Sequence, residues 1–106
     1  MNIIKKFPED MDAKTLYKLV KTPYVKRMVD AEDSVLSVGA WLLFEDEEKR
    51  VLVISTADGE IFATISNFFI KEFEAITEIF GDDVGEIKVI SGKSRAGRKF
   101  ITCSLV

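Results

Sequence analysis

The chain has no histidine, one cysteine, two prolines and one tryptophan among its 106 residues. Without histidine, and with a single thiol, neither the common zinc sites nor the usual nucleophile–base pairs can be assembled. No internal disulfide can form, and Cys103 stands in an apolar run where a buried thiol is the ordinary reading. Long hydrophobic runs are missing as well. The longest, such as 38–44 and 67–70, are far too short to span a bilayer. The first ten residues, MNIIKKFPED, lack the apolar core and cleavage site of a signal peptide, so the expected location is cytoplasmic, with no membrane partner. Carboxylates are the remaining catalytic groups. The acidic clusters at 45–48 and Asp82-Asp83 fall where turns are expected and read as solvated loops, without the ligand spacing of a cation site.

Net positive charge is scarce overall and concentrated locally. Fifteen lysines and arginines face 18 aspartates and glutamates, for a formal charge of −3. Residues 84–106 nevertheless carry Lys88, Lys93, Arg95, Arg98 and Lys99 against Glu86 alone, a local charge of +4 that leaves −7 on residues 1–83. An acidic protein that gathers cations on one hairpin is expected to bring them against a polyanion, phosphate first of all.

At this length, with 47% hydrophobic and 31% charged residues, one globular domain is expected, 1–106. Its first part, 1–33, reads as a helical segment. Asp12 can cap a helix whose Leu16, Leu19 and Val20 form a stripe, and Thr22-Pro23 stops it. Residues 34–106 read as a β-barrel core. The stretch 35–45 alternates, with Leu36, Val38, Ala40, Leu42 and Phe44 on one side and Val35, Ser37, Gly39, Trp41 and Leu43 on the other. After a turn at 45–50, 51–56 is a β-rich strand, Asp58-Gly59 a hairpin signal and 60–66 the return strand. The period then changes. Phe69, Phe73, Ile76 and Phe80 mark an amphipathic helix with Ser66 or Asn67 at its start and Gly81 at its end. Two further strands, 86–91 and Lys99–Leu105, enclose the basic loop.

The fold class expected from this order is mainly β: an OB-fold-like barrel of five strands, one helix between strands three and four, and an extra N-terminal helix. A β-meander with a helix packed across it, or a different barrel closure, uses the same elements.

The loop at 92–99 reads as an electropositive arm, kept open by Gly92, Ala96 and Gly97, that follows a nucleic-acid backbone. It is not a P-loop, which needs glycine five positions before its Gly-Lys, where this chain has Ile87. Trp41, Phe62 and Phe100 interleave with small or polar residues and are the candidate base-stacking rings, with Tyr17 and Tyr24 as lesser ones. Lys21, Lys26 and Arg27 form a weaker basic group near Pro23.

Two stretches carry a family likeness. The first is the Asp58-Gly59 hairpin, leading through a strand that ends in Ser66 into a helix. The second is the loop Gly92-Lys93-Ser94-Arg95-Ala96-Gly97 before an aromatic strand that begins near Phe100. Together, over roughly 35–105, they resemble the single-stranded-DNA-binding proteins of protein-primed Bacillus-type phages and related mobile elements. The resemblance implies coating of displaced single strands during DNA replication in a bacterial host cell, without catalysis or cofactor. Single-stranded DNA is the implied partner; the oligomeric state does not carry over, and the net acidity points instead to many copies of the chain binding side by side, with replication proteins as further candidate partners. The N-terminal thirty-odd residues depart from that pattern. An alternative of another class is an acidic protein-interaction module, whose clusters at 45–48 and Asp82-Asp83 would imitate nucleic acid or dock on a host enzyme.

Overall fold

The computed structural model describes residues 1–106. Its elements are strand β1 (Asn2–Phe7), helix α1 (Ala13–Lys21), strand β2 (Lys26–Arg27), a 3₁₀ turn (Met28–Ala31), strands β3 (Val35–Asp46), β4 (Lys49–Thr56) and β5 (Ile61–Thr64), helix α2 (Asn67–Phe80), and strands β6 (Glu86–Lys93) and β7 (Lys99–Leu105). The fold is mainly β, a curled open sheet with two helices, and is compatible with an OB-like barrel. Strands run in the order β2-β5-β4-β3-β6-β7, with β1 also paired to β3. No helix is long and apolar enough to cross a membrane.

The bend that curls the sheet is made at Gly39. Val38 pairs with Thr56 and Ala40 with Ser55, so Gly39 is an extra residue on β3, a bulge. The bulge shifts the side-chain alternation by one. Leu36 and Val38 therefore share a face with Trp41 and Leu43, while Ala40, Leu42 and Phe44 take the other. This corrects the uninterrupted alternation expected for 35–45. Before the bulge β3 pairs with β6, from Val35 opposite Lys88 to Ser37 opposite Glu86. After it, β3 pairs with β4 and β1.

Each face builds its own core. The larger joins Trp41, Leu43, Leu52, Ile54 and Phe62 to Phe69, Ile70, Phe73 and Ile76 of α2 and to Ile87, Val89, Ile101 and Cys103 of the last two strands. On the other side, Leu19 of α1 packs on Leu42, Phe44 and Val53, with Leu16 and Val20 alongside. Asp12 caps α1, accepting from the Thr15 N–H at 2.7 Å, and that bond holds its carboxyl below the usual range. Phe80, assigned to the buried stripe of α2 by its spacing, is instead exposed at the last turn, where Gly81 ends the helix at φ +110°.

The N-terminal segment is not purely helical. Its β1 pairs antiparallel with β3, and its β2 runs parallel to β5. Neither carries a buried alternating pattern: β1 is mostly exposed and includes Lys5 and Lys6, so pairing with a neighbour, not burial, makes it a strand. Between β5 and β7 there is no ladder. The start of α2 bridges that gap, Ser66 Oγ donating to the Ile101 carbonyl at 3.3 Å and Cys103 Sγ lying 3.8 Å from the Phe69 carbonyl.

Candidate nucleic-acid interface

The basic loop is the tip of a regular hairpin. Gly92 pairs with Phe100 and Lys93 with Lys99, so β6 runs two residues further than the expected 86–91. Ser94 closes the tip: its N–H donates to the Arg98 carbonyl at 2.8 Å, its carbonyl accepts from Gly97, and its hydroxyl accepts from the Arg98 N–H at 3.2 Å. Gly97 supplies the positive φ, +78°, that this turn requires. The tip is thus a hydrogen-bonded turn in place of the open arm expected for 92–99, and Gly92 serves a different purpose. A Cβ there would come within 2.8 Å of Phe100 Cζ, so the absent side chain is what lets the Phe100 ring lie across the strand.

Phe68 stands 5.3 Å from Phe100, centroid to centroid, with the ring planes inclined by 42°. Ser66 holds the two together, because its hydroxyl both accepts from the Phe69 N–H at 3.3 Å and donates to Ile101 beside Phe100. The rings form one wall of a groove of about 620 Å³. Arg98, Lys99 and Ser94 contribute from the hairpin, Ser66 and Asn67 from the start of α2, and Val29 from the 3₁₀ turn. Phe68 is 65% exposed and Phe100 half-buried.

The expected cations divide by environment. Lys88, Lys93, Arg95 and Arg98 are exposed, and none is paired with a carboxylate. Lys88 shares a ribbon face with Gly92 and Phe100, four residues away along β6 or roughly 13 Å. Lys99 is held by Glu32, which also accepts from Ser91 Oγ at 2.6 Å. These bonds, from Lys99 first and Ser91 second, keep the Glu32 carboxyl below its ordinary value.

Two of the expected stacking rings are elsewhere. Trp41 is 2% exposed, its Nε1–H donates to the Asp82 carbonyl at 2.8 Å, and it meets Phe73 edge-on at 5.1 Å. Phe62 is 6% exposed in the main core, with Lys26 Nζ 5.8 Å from its centroid. Neither presents a face to a base. Alternation with small or polar residues suggests exposure for both, but the Gly39 bulge turns Trp41 inward and the curl of the sheet encloses Phe62. Tyr17 and Tyr24 are exposed yet do not line the groove. In the weaker basic group, Lys26 pairs with Glu60 at 2.6 Å and Arg27 with Asp30 at 3.2 Å, and the Glu60 hydrogen bond raises the Lys26 ammonium.

Phe68 was missed by the sequence reading. Helical spacing selects Phe69, and Phe68 beside it falls off the stripe; an aromatic out of phase just after a cap was the available signal. Glu32 gave no signal, since it meets Lys99 across 67 positions. No family model, curated protein or solved structure matches this chain.

Proposed function

We propose that this protein binds single-stranded DNA without catalysis and with little regard to sequence, as an OB-like strand-coating protein of phage or mobile-element replication. Support comes from one meeting of groups: two rings, the exposed Phe68 and the half-buried Phe100, share a groove with Arg98 of the hairpin tip, which also carries unpaired Arg95, with unpaired Lys93 beside it. Rings accept any base face, and the cations follow the backbone. Lys88 extends the cationic track along β6.

The test is fluorescence anisotropy with end-labelled oligothymidine at several salt concentrations. With four unpaired cations engaged, log affinity should fall against log salt with a slope of about −3. Phe68→Ala and Phe100→Ala should each weaken binding about 5- to 150-fold. Arg95→Glu with Arg98→Glu should remove it. Failure of the wild-type protein to bind at low salt sinks the reading. A second reading, an acidic interaction module, is favoured by the β3–β4 hairpin, where Glu45, Asp46, Glu47 and Glu48 are all exposed and unpaired. Such docking would survive the Arg95/Arg98 double substitution.

A further inference from the structure

One carboxylate is held beside the cationic groove, bonded to Lys99 of its lining. Glu32 follows the 3₁₀ turn whose Met28 and Ala31 are buried, and its flanks are tied to β6: the Asp33 N–H donates to the Val89 carbonyl at 2.8 Å and the Val89 N–H to the Ser34 carbonyl at 2.9 Å. The backbone at Glu32 is therefore fixed beside β6. Oε1 receives the Ser91 hydroxyl and Oε2 the Lys99 ammonium, so the carboxylate straddles both strands just behind the tip of the basic hairpin. Val29, from the same turn, lines the groove into which Lys99 projects. Of the five hairpin cations, Lys99 is the one already neutralised. A phosphate approaching its ammonium would meet the Glu32 carboxylate at the same position, and like charges at that range repel.

We propose that Glu32 withholds Lys99 from the nucleic-acid backbone and so caps the affinity of the groove. The inference rests on the single-strand-binding reading above and adds a regulating residue to it. Ser91 orients the carboxylate and Lys99 neutralises it, leaving Arg98, Arg95, Lys93 and Lys88 as the phosphate contacts. A moderated affinity suits a protein that must coat a strand and then leave it.

The experiment measures affinity for end-labelled oligothymidine against salt for wild type, Glu32→Gln, Lys99→Gln and the double variant, with thermal melts to verify folding. Glu32→Gln keeps the side-chain size and an acceptor for Ser91 while freeing the ammonium. It should bind about two- to fivefold tighter at 0.1 M salt, with a log–log slope steeper by about 0.7. Lys99→Gln in that background should cancel both gains. Lys99→Gln alone should leave the slope as in wild type, a readout that holds even if Glu32→Gln melts early. The inference is overturned if Glu32→Gln binds no tighter with an unchanged slope, or if Lys99→Gln alone makes the slope shallower by about 0.7. Charge reversal at Arg95 and Arg98 separates the two ideas: if it abolishes binding while Glu32→Gln changes nothing, the regulating role alone fails. If it leaves binding intact, the nucleic-acid reading fails with it.

Discussion

Single residues decide what each aromatic and sulfur group can do. Trp41 spends its ring on Phe73 and its indole N–H on Asp82, so it is a structural residue. Trp41→Phe removes the donor and leaves a cavity, and should cost about 1–3 kcal/mol in urea denaturation followed by circular dichroism, with oligothymidine affinity unchanged. A loss of affinity in a stably folded variant would return Trp41 to the interface. Cys103 is 2% exposed, and burial, with a lesser push from Glu72, raises its thiol from 9.0 to about 12. In the unfolded chain the thiol ionises near its ordinary value, so rising pH favours the unfolded state first. The contribution of the neutral thiol is whole below pH 9 and is lost between 9 and about 12, by at most about 1.4 kcal/mol per pH unit. Wild type should therefore lose more stability than Cys103→Ala between pH 8 and pH 10, as measured by urea midpoints. Equal losses would show that the thiol ionises as freely in the fold as outside it.

Among the elements, β3 organises the rest. It pairs with β1, β4 and β6, and the Gly39 bulge lets it do so by turning its second half. A Cβ at Gly39 would touch the Ser55 carbonyl at 3.4 Å, so the strands are close there. Deleting Gly39 keeps Leu36, Val38, Trp41 and Leu43 on one face, now in strict alternation, and removes the extra residue that bends the strand. Without the bend β3 cannot follow β6 and β4 equally well, so the deletion should lower the thermal midpoint seen by circular dichroism. A wild-type-like melt would mean that the bulge is dispensable. The hairpin of β6 and β7 depends on this too, because β6 joins the sheet only through the three residues before the bulge.

Across the whole molecule the charge is polar. β3 carries the acidic hairpin at its end, while its start pairs antiparallel with the first three residues of β6, whose far end carries the basic tip; the two tips thus lie at opposite ends of these strands in a molecule 42 Å long. Screening acts over about 10 Å at 0.1 M salt and about 30 Å at 0.01 M. Replacing Glu47 and Glu48 by glutamine should therefore leave oligothymidine affinity unchanged at 0.1 M and raise it at 0.01 M. An increase at both concentrations would place the acidic hairpin next to the bound strand.

Periodicity, turn chemistry and charge made much of this protein legible. Leu16, Leu19 and Val20 announced α1, Asp58-Gly59 a hairpin, Phe69 and Phe73 the inner face of α2, and the cation cluster the one basic tip, because each is a local pattern with a local cause. The cooperating rings were not legible. Phe100 met the unremarked Phe68 and not Trp41 or Phe62, since a ring's exposure depends on which way a bulged strand bends and on what the curled sheet encloses. β1 and β2 escaped for a related reason: exposed edge strands are held by their neighbours' hydrogen bonds, which leave no periodic trace. Nor could the sequence pair Glu32 with Lys99. Contacts between residues far apart in the chain exist only once the fold has brought them to one place, and here that place is just behind the tip of the basic hairpin.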